Sequence, residues 1–301
     1  YNERYDKKQM NSVQWNDRFN IGVEIVDKAH QRLFSIVGKM MELNEDEGRR
    51  QHACQETIKY FKSYTQKHFA EEEEYMRSID YEKYDVHKQL HDDLRDKTIP
   101  ALETELEEQH YSEEAIQHFS GICLGWLTGH IMMTDRAITG LVSDRWVLNS
   151  AKEEFQALEE AVSRIMKTMM GIAPRLVSEH YGGEDFGKGI FIRQIYRSKT
   201  NERIQIFLAF EERMVLETFG EVLGRKLPRV DQTVLYAVNQ VAKMLVKRVY
   251  QHCEGLGAHQ LEKENVLSHE QLLKEFDKGP LYYSLLYDGE GKGYFAFSVM
   301  K

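Results

Sequence analysis

The chain has 301 residues, of which 42% are hydrophobic and 30% charged, with a formal net charge of −9. That length suits two ordinary domains, and the acidic balance excludes a broad nucleic-acid footprint or a polybasic membrane patch. Only 4 prolines favour long helices over a loop-rich or all-β chain.

The first residues, "YNERYDKKQM", form a polar arm (1–14) without the apolar core of a signal peptide. No apolar run reaches membrane-span length, and the cysteines Cys54, Cys123 and Cys253 are scattered and odd in number. A soluble cytoplasmic protein in a reducing compartment is the expectation. From about Val23 to Leu43, apolar residues recur at three and four, as in an amphipathic helix. After a polar break, "NEDEGRRQ", a second helix runs from "ETIKYF" to near Asp80, and a third spans "YEKYDVHKQLHDDLRDKTIPALETEL". Pro100 kinks or splits the third, because proline removes a helical donor. Ser112, followed by two glutamates, opens a fourth helix that continues through "HIMMTD" to about Val142. Four helices with short connections predict an all-α up-and-down bundle over 15–148.

Beyond about Leu148 the pattern changes to a multidomain arrangement. "AKEEFQALEEAVSRIMKTMMG" predicts a helix (152–171) that is also the connector. "KGIFIRQIYR" and "ERIQIFLAF" predict strands, "EERMVLETFGEVLG" and "DQTVLYAVNQVAKMLVKRVYQHC" helices, and the closing segment two strands around a Gly-rich turn. Strands and helices mixed without regular βαβ alternation predict an α+β domain over 149–301.

The chemistry lies in the first half. "HFAEEEEYM" sets His68 ahead of four glutamates. His68 and Glu72 lie four apart and share a helix face, although Glu71 is three apart and fits as well. "HKQLH" gives His87 and His91 the same spacing, and His30 sits among apolar positions of the first helix. The fourth helix offers His130 and Asp135, but at ~100° per residue these point about 140° apart. Taken singly, each is more readily a solvated or packing residue. Together, four successive helices each bring ligand-type residues to an apolar stripe, and burying so many ionisable groups is costly unless a metal neutralises them. Five imidazoles and two carboxylates suit two ions, with iron the first choice over manganese and zinc.

Residues from about Trp15 to Val142 resemble the hemerythrin family, bacterial members in particular. "WNDRFNIGVEIVDKAHQRLF" is similar to its first-helix signature, "HFAEEEEYM" to HFxxEExxM, "HKQLHDDL" to HxxxH and "HIMMTD" to HIxxxD. The resemblance selects Glu72 over Glu71 and leaves Glu71, Glu73 and Glu74 to solvent or to supporting roles around the ligands. It implies two iron ions bridged by Glu72 and Asp135, one held by His87, His91 and His130, the other by His30 and His68 with an open position for dioxygen. It also implies an oxygen pocket of Leu33, Phe69, Trp126, Leu127 and Ile131, all apolar or aromatic as exclusion of water requires. His52, His110 and His118 match no ligand position.

Residues from about Ala151 to Lys301 more faintly resemble the CheX/CheC chemotaxis phosphatases. In that family a Glu-x-x-Asn helix acts on a phosphorylated response regulator. Here Asn239 stands at the Asn position, Tyr236 where the Glu belongs, and Lys243 replaces a small residue. A phenol is neutral near pH 7 and cannot replace the carboxylate in an ion pair, which argues against efficient phosphatase activity. The resemblances together imply a cytoplasmic oxygen or redox sensor, with the CheX-like domain serving chemotaxis or two-component signalling through a response regulator or related partner. Coupling would run through the connecting helix, and pairing through the sheet would give a homodimer. The alternatives are an oxygen-gated phosphatase and an oxygen or iron store.

Overall fold

The computed structural model describes residues 17–43, 47–141, 154–171, 173–252 and 259–301. The N-terminal arm, the chain around Leu148 and Cys253 lie outside the described residues. The chain forms two compact units. One takes the described residues of Tyr1–Asp144 with Gly220–Lys226 and Val230–Val241. The other takes those of Arg145–Phe219, Leu227–Arg229 and Ala242–Lys301.

The first unit is built around helices with interrupted regularity. Helix α1 (Glu24–Met41) buries Val26, Ala29, His30, Leu33, Phe34, Val37 and Met40, the stripe that its three-and-four spacing predicts. Val23 at its N-cap offers no side-chain acceptor. Asp27, inside the first turn, instead ties down the chain that leads into the helix, accepting from the backbone N–H groups of Ile21 at 2.6 Å and Gly22 at 3.1 Å. Helix α2 (Glu47–Ser78) begins earlier than the sequence reading places it. The "GRRQ" part of the expected break is helical because Cys54, Ile58 and Phe61 already define a buried stripe, and arginine and glutamine are good helix formers.

Helix α3 (Tyr84–Asp93) passes through a π-helical turn (Leu94–Thr98) into α4 (Ile99–Glu108). The turn is widest where the Ile99 N–H reaches back five residues to the Leu94 carbonyl. Pro100 lacks an N–H and would crowd the carbonyl four residues back in a regular α-helix. The wider turn just before it lets the helix continue rather than break. Helix α5 (Glu113–His130) opens with Ser112 Oγ accepting from the Ala115 N–H at 3.2 Å. It runs into a second π turn (Ile131–Asp135) and ends in the short Arg136–Ile138 turn. Thr139 just beyond donates from Oγ1 to the Ile21 carbonyl at 2.7 Å.

The second unit contains helix α6 (Glu154–Met170) and a six-stranded sheet of order β1-β5-β6-β3-β2-β4. Its strands are β1 (Arg175–Ser178), β2 (Gly189–Ser198), β3 (Arg203–Glu211), β4 (His259–Leu267), β5 (Tyr283–Asp288) and β6 (Tyr294–Met300), and every ladder is antiparallel. Helix α9 (His269–Phe276) belongs to the same unit, whereas α7 (Glu212–Leu223) and α8 (Gln232–His252) contribute residues to both units. On one face, Leu272 and Phe276 of α9 pack with Tyr181, Phe191 and Phe207. Ile192, Ile206, Leu208 and Phe297 are also buried, so both faces are covered. That explains why the central strands read as nearly continuous apolar runs.

Strands β1 and β4 and helix α9 escape the sequence reading. β4 is an edge strand with four exposed residues in succession, Gln260–Lys263, which hides its period and protects the edge. α9 carries a complete capping box between Ser268 and Gln271, the one local signal of its start.

Within the first unit, α5 approaches the beginning of α8 closely. A Cβ on Gly121 would lie 2.5 Å from the Thr233 carbonyl oxygen, and one on Gly125 2.5 Å from that of Ala237. Among the described residues, no helix is long and apolar enough to cross a membrane.

Candidate metal centre

All seven sequence-predicted ligands meet in the interior of the bundle. His30, His68, Glu72, His87, His91, His130 and Asp135 are each at most 2% exposed. They form two overlapping groups, Glu72/His87/His91/His130 and His30/His68/Glu72/Asp135, and in each group one ligand atom per residue lies within 4.8 Å of every other. Glu72 belongs to both. Asp135 also reaches both, with Oδ1 2.9 Å from His130 Nε2 and 3.3 Å from His87 Nε2, and Oδ2 3.2 Å from His30 Nε2.

The second π turn is what brings Asp135 in. In a regular α-helix, five residues from His130 would turn Asp135 about 140° away. The Arg136 N–H instead bonds back to the Ile131 carbonyl, five residues earlier. A turn of this width reduces the rotation per residue and returns Asp135 to the face of His130. Single π turns of this kind mark functional positions in many helices. The sequence motif contains this spacing, but helical periodicity alone argues against it.

Burial decides which glutamate turns inward. Glu72 is fully buried, whereas Glu71 faces Lys67 across 3.6 Å near the surface. Glu73 has a place of its own, with Oε1 3.1 Å from His91 Nδ1. The HFxxEExxM motif puts its second glutamate at this position without giving it a role.

The electrostatics suit a cation. Burial and the adjacent Asp135 charge would raise the Glu72 carboxyl, but the nearby imidazoles of His87, His91 and His68 outweigh them and hold it below the ordinary range. Burial would likewise raise Asp135, yet His130, His30 and His87 hold it well below. Burial lowers His68 to about 3 and His130 to about 4, against the pull of the carboxylates. It would lower His87 too, but contacts with Asp135 and Glu72 raise that ring to about 10. Charged carboxylates are therefore held in a buried interior beside the neutral imidazoles of His68 and His130 and the cationic ring of His87.

Hydrogen bonding does not satisfy this cluster. Both carboxylate oxygens of Glu72 and of Asp135, and both ring nitrogens of His30, are buried without an aligned partner, although oppositely charged atoms are near. The Nε2 atoms of His87 and His91 lie 3.2 Å apart, and those of His91 and His130 3.0 Å apart. Native interiors rarely tolerate so many unpaired polar atoms. Nitrogen and oxygen donors aimed at common points, without thiolate, fit iron and related divalent ions.

The five predicted pocket residues Leu33, Phe69, Trp126, Leu127 and Ile131 are all buried. Phe69 stacks on His91 with centroids 3.8 Å apart, and Trp126 stacks on His130 at 4.2 Å. The aromatic wall thus lies directly against two of the ligand-type imidazoles. Of the histidines set aside, His118 binds Glu105 through Nδ1 at 2.9 Å and lies against Tyr236 at 4.6 Å.

The candidate residues of α8 form no comparable constellation. Asn239 is half-buried, and its Oδ1 is shielded without a hydrogen-bond partner. Burial, with help from Glu114 and Glu105, raises the Tyr236 phenol further from ionisation. Lys243 is engaged with Glu264 at 3.2 Å.

Comparison with known proteins bears on the same residues. Residues 21–142 match the family model for the hemerythrin HHE cation binding domain. A bacteriohemerythrin of Clostridium acetobutylicum is 33% identical over 126 residues, 40% of this chain and 95% of that protein. A myohemerythrin of Theromyzon tessulatum is 30% identical over 122 residues, 40% of this chain and 87% of that protein. Among solved structures, the chemotaxis protein CheX of Vibrio vulnificus aligns over 49% of this chain and 98% of its own, with a TM-score of 0.38 and 12% identity. A CheX of Desulfovibrio desulfuricans gives a TM-score of 0.36 at 13% identity, covering 50% of this chain and 99% of its own. The converging imidazoles and carboxylates lie within the matched segment, and on that sequence kinship the chain belongs to the hemerythrin family.

Proposed function

We propose that the bundle holds a dinuclear iron centre that binds dioxygen, and that the chain is a cytoplasmic oxygen or redox sensor. The observation that carries this reading is the pair of buried four-residue groups sharing Glu72 and spanned by Asp135. Two carboxylates at the junction of two imidazole sets are the arrangement that a bridged metal pair requires. Bound there, reduced iron supplies the electrons that dioxygen takes up on binding.

The chain's own residues set the conditions. His87, His91 and His130 would hold one ion with Glu72 and Asp135. His30 and His68 would hold the other, which, with one imidazole fewer, would be the one able to take a small ligand. Leu33, Phe69, Trp126, Leu127 and Ile131 keep water from the centre, which restrains loss of the bound ligand and oxidation of the metals.

For the second half, residues 149–301, we propose a CheX-like output role in chemotaxis or two-component signalling, by binding rather than catalysis. The shielded Asn239 and the neutral Tyr236 support binding. A sensor needs a partner module, whereas a store gains nothing from one.

An optical spectrum of the anaerobically reduced protein, before and after admission of air, tests the reading. About two irons per chain and a visible charge-transfer band that fades on deoxygenation support it. Irreversible oxidation by air would make the centre a redox sensor, and absence of iron would remove the reading altogether.

A further inference from the structure

The five ligand-type histidines are not equivalent in how their outer nitrogens are held. Nε2 is the nitrogen of each that faces the carboxylates of the centre. The opposite nitrogens, Nδ1 of His30, His68, His87 and His130, have no hydrogen-bond partner among the described residues. His91 differs: its Nδ1 lies 3.1 Å from Glu73 Oε1, in a contact buried on the imidazole side. Glu73 follows the candidate bridging residue Glu72 in sequence, so one turn of α2 addresses both the centre and the back of one of its imidazoles.

We propose that Glu73 is a positioning residue that fixes His91 as the Nδ1–H tautomer, and that it sets the two metal positions apart in redox preference. A carboxylate that accepts the Nδ1 proton locks the ring orientation, leaves the Nε2 lone pair directed at the centre, and makes the imidazole a stronger donor. Stronger donation favours the more highly charged metal state. The effect falls on one group, Glu72/His87/His91/His130, and its counterpart with His30 and His68 has no such carboxylate among the described residues. Stacking of Phe69 on the His91 ring restrains the same side chain sterically, so Glu73 contributes direction and charge rather than placement alone.

This inference rests on the diiron reading above, and the experiment separates the two. Nitrogen-15 NMR of the metal-free full chain reports the His91 tautomer. The native protein is expected to carry the proton on Nδ1, Glu73→Gln to retain it with a weakened hydrogen bond, and Glu73→Leu to populate both tautomers. In the iron-loaded chain, Glu73→Gln is expected to weaken the preference for ferric over ferrous iron about tenfold, which raises the midpoint potential by about 59 mV for one electron. Glu74→Gln makes the same change of formal charge at an exposed neighbour and is expected to move the potential far less.

If Glu73→Gln and Glu74→Gln shift the potential equally, or if native His91 carries its proton on Nε2, the proposal is overturned while the diiron reading stands. A native chain that takes up no iron overturns both. Glu73→Gln is close to isosteric and keeps the test valid should Glu73→Leu fail to fold.

Discussion

His30 Nε2 lies 3.2 Å from Asp135 Oδ2, with both side chains fully buried, and the segments that carry them are fastened to one residue. Ile21 donates its N–H to Asp27, one turn before His30, and accepts from Thr139, one turn beyond Asp135. The first and last ligands of the cluster are thus registered through a single backbone position outside the helices. Because Asp135 spans both groups, Asp135→Asn is expected to lower bound iron from about two per chain to one or fewer, and to abolish the rise in melting temperature that metal confers. Metal analysis and paired thermal scans with and without iron check both outcomes.

The fastening itself can be tested without metal. Asp27→Ala leaves the Ile21 N–H buried and unpaired, and the expected cost is about 1–3 kcal/mol. Urea unfolding of the metal-free chain measures it. A loss below about 0.5 kcal/mol would show that water replaces the carboxylate without penalty.

Insertion of one alanine between Thr134 and Asp135 makes the interval from His130 six residues. At ~100° per residue in a regular helix, Asp135 would then lie about 120° from its present direction. Iron binding is expected to fall as steeply as in Asp135→Asn, while helix content by circular dichroism is retained. Unchanged iron content would mean that the π turn absorbs the extra residue and plays no part in aiming the ligand.

Phe69→Ala removes a fully enclosed ring from the face of His91, and the expected cost is about 3–5 kcal/mol. Phe69→Leu retains most of the volume without the stacking. It is expected to cost about 1.5 kcal/mol or less and to speed oxidation of the reduced centre in air, followed by stopped-flow absorbance. Equal oxidation rates would confine Phe69 to packing.

Burial raises the Cys54 thiol to about 11 and the Cys123 thiol further. An exposed thiol has a pKa near 8.5, so the folded chain keeps its protons where the unfolded chain has begun to lose them. The resulting stabilisation is complete below the unfolded value and is lost as pH rises through the folded one. In the folded protein at pH 8, neither thiol is expected to react with a disulfide reagent on the timescale of unfolded controls. Peptide mapping after quenching identifies the modified positions. Prompt labelling of Cys54 would contradict its enclosure.

The candidate residues His68, Glu72, His87 and His91 stood out because paired spacings of four survive on any regular helix, and the structure brings them together with His30 and His130. Asp135 was less legible: periodicity points it away from His130, and only the convergence of four helices and the family resemblance spoke for it. A π turn leaves little imprint on composition, since "IMMT" reads like any buried helix. Glu73 stands in a run of four like residues, where the family motif marks its position but only the structure shows its contact with His91. In the second unit, β2 and β3 announced themselves through apolar runs buried on both faces, whereas β4 is an edge whose exposed charges conceal its period. The sheet order is set by long-range pairing, which no local pattern encodes.

The two π turns follow closely on ligand-bearing turns, Leu94–Thr98 after His91 and Ile131–Asp135 after His130. Each accommodates surplus chain through a wider and less favourable bonding pattern than the helix on either side. Amides there are expected to open at a lower free energy than those of the flanking helices and to set the local floor of hydrogen-exchange protection. A centre anchored at such positions can lose its grip while the bundle stays folded. Release of a bound metal to a chelator is then expected to proceed by local opening and to be indifferent to low concentrations of urea, which would separate the lability of the metal from the stability of the protein that carries it.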